Sequence, residues 1–161
     1  MIKNEIKIFL TSVMFYTRIP CPSFIDHSED YLNKATRYFP LIGIIVGAIS
    51  FFLFWLSSLI FNVYLSVIFS LSAGILITGA FHEDGLADTF DGFGGGWSKD
   101  KILEIMKDSR IGTYGIISLI TILLLKMFGL ASLFSQITDT YPAKNELLIF
   151  LIFVTYHSLS R

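Results

Sequence analysis

The sequence predicts an all-α, polytopic membrane protein: a helical bundle with an N-terminal interfacial helix and an acidic motif at one membrane face. Three observations carry this. Hydrophobic residues make up 53% of the 161 and charged ones only 16%, with a mean hydropathy of +0.67, a composition of the membrane class. A run of 44 residues, 38–81, contains no Asp, Glu, Lys or Arg. The densest acid cluster follows at once, in FHEDGLADTFDGFGGGW over 81–97, with Glu83, Asp84, Asp88 and Asp91 inside nine residues.

The chain reads as one membrane domain, 1–161, in four segments. In the first, 1–37, residues 2–15 are apolar on much of a helical circumference, with Lys3, Glu5 and Lys7 on the remainder. This predicts a helix lying on the membrane surface, with a short re-entrant or spanning segment as the lesser alternative. TRIPCP, 17–22, ends it, because each proline disfavours helix at the residue before it.

The second segment, 38–81, is too long for one span. At about 1.5 Å per residue it would make a helix of roughly 66 Å, twice the hydrocarbon core. It should fold as a hairpin of two helices, 39–61 and 63–81, turning near Asn62. Gly43 and Gly47 are either a small-residue pair that lets another helix approach or glycines tolerated against lipid.

The third segment, 82–113, holds the acid cluster. The fourth, 114–161, contains an apolar stretch over 114–137 broken only by Lys126, and another that begins at Leu147. Residues 147–160 fall short of the ~20 needed to span, so the expectation is a chain incomplete at its C-terminus.

Charge placement gives an orientation. The hairpin brings its two ends to one side, where Lys3, Lys7, Arg18, Lys34 and Arg37 precede it and Lys99, Lys101, Lys107 and Arg110 follow it. The 135–146 loop opposite carries only Lys144. The positive-inside rule then makes the N-terminus and 82–113 cytoplasmic. A net charge of −1 gives no general attraction to nucleic acid. The lone Cys21 excludes a disulfide within the chain.

A helix through Gly92 would set Asp84, Asp88 and Asp91 within a wedge of roughly 60°, with Leu86, Phe90 and Phe93 opposite. Glu83 approaches from the side, and Gly85, Thr89 and Gly92 form a slim flank. Three carboxylates in one stripe repel each other, the more so near lipid. A cation removes the objection, and an all-oxygen donor set suits a hard ion such as Mg²⁺ or Mn²⁺. The bland alternative is a solvated acidic helix end. His82 reads equally as interfacial or catalytic.

The glycines of GGGW, 94–97, read as a flexible turn and do not match a Walker loop, since no Lys-Ser/Thr follows. Ser98 is a candidate N-cap for a short helix over 99–107, with Ile102, Leu103, Ile105 and Met106 inward. In KDSRIGTYG, 107–115, Arg110 is either a phosphate-binding fork or an ordinary positive-inside arginine.

FYTRIPCP (15–22), FPLIGIIVG (39–47), the whole of 81–115 and the terminal SLSR (158–161) resemble cobalamin synthase, the adenosylcobinamide-GDP ribazoletransferase family of bacteria and archaea. The resemblance implies a multi-pass inner-membrane enzyme of a prokaryote, its active site facing the cytoplasm, that needs Mg²⁺. It implies that adenosylcobinamide-GDP is joined to α-ribazole or its 5′-phosphate with loss of GMP. On this sequence, Glu83, Asp84, Asp88 and Asp91 would hold the metal, with Asp108 completing its shell. Asp88 or Asp91 would accept the proton of the attacking hydroxyl. Arg110, with Arg18, Lys107 and Arg161, would bind phosphate charge. Self-association into a homo-oligomer stays open.

Two other classes fit parts of the pattern. Other membrane enzymes that use diphosphates through Mg²⁺ include CDP-alcohol phosphotransferases and prenyltransferases, the latter expected to show two Asp-rich segments where one is clear here. A cation transporter would place its carboxylates near mid-membrane, not at the end of a span.

Overall fold

The computed structural model describes residues 2–22, 25 and 28–159, with Ile2 and Lys3 described in backbone only. The regular structure is helical, and no strand occurs among the described residues. The helices are α1 (Ile2–Tyr16), α2 (Glu29–Ala35), α3 (Phe39–Ser58), α4 (Val63–Thr78), α5 (Phe81–Gly95), α6 (Lys99–Met106), α7 (Thr113–Thr140) and α8 (Asn145–Leu159), with a 3₁₀ turn at Thr36–Tyr38. Two helical stretches, Glu29–Ser58 and Thr113–Thr140, are long and apolar enough to cross a membrane, and the bent pair α4–α5 counts as a third if taken as one span. This is the all-α membrane bundle that the composition predicts.

The hairpin forms as expected, as α3 and α4. Asn62 makes its turn: the side-chain oxygen accepts from the Leu65 N–H at 3.1 Å and caps α4. The second helix ends at Thr78, three residues early. Gly79 and Ala80 both take left-handed backbone angles, φ 65° and 60°. Ala80 N–H reaches back to Ile75 C=O at 2.9 Å, the closing bond of a Schellman-type cap. The acid segment is therefore a separate helix, α5, bent 87° from α4. It packs on α6 and α7.

Helix α3 packs between α4 and α8, while α7 packs on α4 and α5. At one end Phe54, Phe134 and Phe153 form a triangle with ring centroids 5.0–5.7 Å apart. Val67, Ala131, Ile137 and Ile149 complete that core. At the other end α1 seats Val13 and Tyr16 on Ile42 and Val46 of α3. Glu5 of α1 accepts from Tyr38 O–H at 2.8 Å and pairs with Arg37. Tyr31 of α2 donates to Asn4 at 2.6 Å. Helix α2 has no counterpart in the sequence reading, being about two short polar turns with little periodicity to show.

Gly43 and Gly47 are contact glycines, and the helix they admit is α8. A Cβ on Gly47 would stand 2.7 Å from the Phe153 carbonyl oxygen and 3.0 Å from the Val154 Cα. In a membrane, where helices gain little from hiding apolar surface, such backbone approach is a main source of packing energy. Gly129 of α7 has nothing within 4 Å of its would-be Cβ. Gly47→Ala should therefore cost about 1–3 kcal/mol by prying α3 from α8. Gly129→Ala should be neutral or gain up to about 1 kcal/mol from helix propensity. Unfolding midpoints in a detergent titration would compare the two, and equal losses would contradict this packing.

Candidate active site

Helix α5 carries the acids along one continuous stretch. Asp84 is exposed, Asp88 half-buried and Asp91 buried at 9% exposure. Burial pushes the Asp88 carboxyl up from its ordinary pKa, and the charges of Asp84 and Asp91 add to the rise. Asp88 thus feels the charge of both neighbours, as the spacing implies. Leu86 and Phe90, on the other face, line an apolar groove of about 320 Å³ with Tyr114, Ile117 and Thr121 of α7.

Asp91 has found partners that no local reading could show. Its carboxylate accepts from the Gly112 N–H at 2.6 Å and from the Gly115 N–H at 2.8 Å. These are the N-cap and N3 donors of α7, the pair that a capping box satisfies with two side chains. Here one carboxylate from another helix serves both. Gly112 and Gly115, whose N–H groups hold Asp91, have no assigned role in the sequence reading. Their signal was a helix start with glycine where a capping side chain belongs.

Glu83 is half-buried, and its Oε2 is buried with no hydrogen-bond partner. Glu83, Asp84 and Asp88 offer only oxygen donors, the chemistry that a hard divalent ion prefers. Among the described residues no three acidic, His or Cys side chains are gathered into a ready-made cage.

Asp108 and Arg110 face each other. Arg110 Nε donates to both Asp108 oxygens at 3.1 Å, and a terminal nitrogen donates to one at 2.6 Å. The Arg110 side chain is 86% exposed, so its outer donors face solvent. Arg18 is drawn to the bend: its N–H donates to Ile77 C=O at 2.6 Å, and its guanidinium lies where a Cβ on Gly79 would stand. Lys107 closes α6 and is exposed. Arg161 lies outside the described residues. His82 is exposed, with its ring edge-on to Phe81.

The segment after the acids differs in detail from expectation. Gly94 and Gly95 are helical, and only Gly96 leaves the helix, in an extended conformation. They serve packing more than turning, since a Cβ at Gly96 would strike Ile102, and one at Gly94 would strike the Tyr114 ring. Ser98 caps α6 as expected, accepting from Lys101 N–H at 3.4 Å. Ile102, Ile105 and Met106 turn inward, but Leu103 is 43% exposed, because α6 packs on α5 along one face only.

A family profile described as cobalamin-5-phosphate synthase matches residues 8–161. The chain belongs to this family. An adenosylcobinamide-GDP ribazoletransferase of Shewanella oneidensis is 53% identical over 123 residues, which is 76% of this chain and 47% of that protein. One from Shewanella frigidimarina is 52% identical over the same shares. The chain spans about half the length of these curated relatives. No solved structure matches.

The Arg110 pairing has a measurable consequence. Hydrogen bonds from Arg110 hold the Asp108 pKa down, from 3.8 to about 2. A depressed carboxylate contributes above its unfolded pKa, and that contribution is lost as pH falls through the folded value, so the window here is 3.8 down to about 2. The pair should hold across the neutral range. Followed by carboxylate NMR shifts in detergent, the Asp108 midpoint should rise towards 3.8 in Arg110→Ala. An unmoved midpoint would show that Arg110 is not its partner.

Proposed function

We propose that the face carrying α5 transfers a phosphorylated cobinamide from adenosylcobinamide-GDP to α-ribazole or its 5′-phosphate, with GMP leaving. The observation that supports this reading is α5 itself, a helix bent 87° from α4 that carries Asp84 and Asp88 on one stripe with Glu83 at its side, in a chain of this family. The relatives' names supply the reaction. The protein would sit in the cytoplasmic membrane with this face towards the cytoplasm, on the charge asymmetry of the loops.

In this reading the acceptor hydroxyl attacks the phosphorus next to cobinamide. A new P–O bond forms and the bond to the oxygen bridging the two phosphorus atoms breaks. Glu83, Asp84 and Asp88 would hold Mg²⁺, which neutralises diphosphate and leaving-group charge when bound. Asp88 is best placed to take the hydroxyl proton, since both oxygens of Asp91 are engaged by backbone N–H groups. Arg110 meets phosphate with the donors that Asp108 leaves free, and the pairing with Asp108 holds its fork still. Arg18, fixed at the bend, and Lys107 add positive charge around the site, and Arg161 is assigned the same role. Such chemistry needs positioning and charge stabilisation more than a covalent intermediate.

The test is GMP release by protein in lipid nanodiscs supplied with adenosylcobinamide-GDP, α-ribazole 5′-phosphate and Mg²⁺. Turnover should require the metal. Asp84→Asn and Asp88→Asn should each lower kcat by on the order of 10²-fold or more. Metal-independent turnover, or full activity in both variants, would overturn the assignment.

A further inference from the structure

We propose that Asp91 is a positioning residue and stands outside the metal-holding set. Its carboxylate is the N-terminal cap of α7, supplied from α5, and it fixes where the 107–112 loop carries Arg110. The role of Arg110 rests on the transferase reading above, but the clamp itself does not.

An α-helix begins with unsatisfied N–H groups, and the residue that should cap α7 is Gly112, which has no side chain. Asp91 fills the gap at 2.6 and 2.8 Å, one oxygen for each N–H. Its negative charge also meets the positive end of a 28-residue helix. Sterics point the same way. The three atoms nearest a would-be Gly112 Cβ are the two oxygens and the Cγ of Asp91. A Cβ on Gly115 would meet the same carboxylate and, at 3.1 Å, the Ala87 carbonyl oxygen. Both glycines clear the path by which α5 reaches α7.

The consequence for the site follows from chain geometry. Arg110 lies two residues before Gly112, within about 7 Å of it along the backbone. Gly112 is pinned to α5 by Asp91. The fork of Arg110 is thus tethered to the same helix that carries Glu83, Asp84 and Asp88. A substituent that loosens Asp91 moves the arginine relative to the acids without removing either.

The clamp is tested first without activity, by thermal unfolding of the full chain in detergent. Gly112→Ala and Asp91→Ala should each lower the midpoint. The double variant should unfold no lower than Asp91→Ala alone, because the added methyl then has nothing to strike. Losses that simply add would overturn the clamp. Should Asp91→Ala not fold, Asp91→Asn keeps one acceptor oxygen, and its Gly112 and Gly115 amides should exchange with solvent faster than in Asp88→Asn. Equal exchange would overturn the proposal.

Activity then separates positioning from metal binding. Asp91→Asn should lower kcat roughly tenfold or more by misplacing Arg110. Its half-saturating Mg²⁺ should stay within about twofold of the parent, whereas Asp88→Asn should raise it about tenfold or more. A rise in Asp91→Asn equal to that in Asp88→Asn would make Asp91 a ligand and sink the proposal. If no chain responds to Mg²⁺, the transferase reading fails, and the unfolding cycle still decides the role of Asp91.

Discussion

The turn at Gly79–Ala80 is the constraint on which the arrangement depends. Carboxylates cannot follow an apolar helix into lipid without large cost. The chain resolves this by ending α4 and setting off again at 87°. Two consecutive left-handed residues achieve it, and the second is an alanine, for which that conformation costs roughly 1–2 kcal/mol. The surroundings hold the bend in place. Arg18 donates its N–H to Ile77 near the end of α4 and lays its guanidinium against Gly79. The FYTRIPCP segment is therefore the brace of the acid helix, although 60 residues of chain separate them.

Once α5 leaves the span, it has to be secured to something else. Glycine makes that possible at each contact. Gly92 and Gly96 admit Met106 and Ile102 of α6, Gly94 admits the ring of Tyr114, and Gly112 and Gly115 admit Asp91. The same device works inside the bundle, where Gly43 and Gly47 bring α3 against the backbone of α8. The fold thus uses close backbone approach in both environments, with a buried carboxylate added where two helix ends meet outside the spans.

What could be read from the sequence follows a physical division. The helical class, the turn at Asn62 and the cap at Ser98 all rest on local pattern, and all appear in the structure. The bend does not, since Gly-Ala inside an apolar run reads equally as continuous helix. Leu103 was placed inward by apolarity alone, but α6 has only one packed face. The glycines near Trp97 read as a turn because their partners, Ile102 and Tyr114, come from other elements. The partners of Asp91 lie 21 and 24 residues onward, and only the absence of a capping side chain at Gly112 hints at them.

That missed contact changes the electrostatic argument for a metal. Three carboxylates in one stripe repel one another, and a cation relieves that repulsion. A helix N-terminus carries about half a positive charge and directed N–H donors, and it answers for one of the three. The demand then falls on the other two and on their neighbour. Asp88 still carries a raised pKa from burial and from the acids on either side. Glu83 still has a buried oxygen with no hydrogen-bond partner. The unsatisfied negative potential of α5 is thereby concentrated in its first two turns, next to the bend where Arg18 lies. An ion and a diphosphate arriving together would find their charges matched there, the metal by Glu83, Asp84 and Asp88 and the phosphates by arginines tethered at both ends of the same helix.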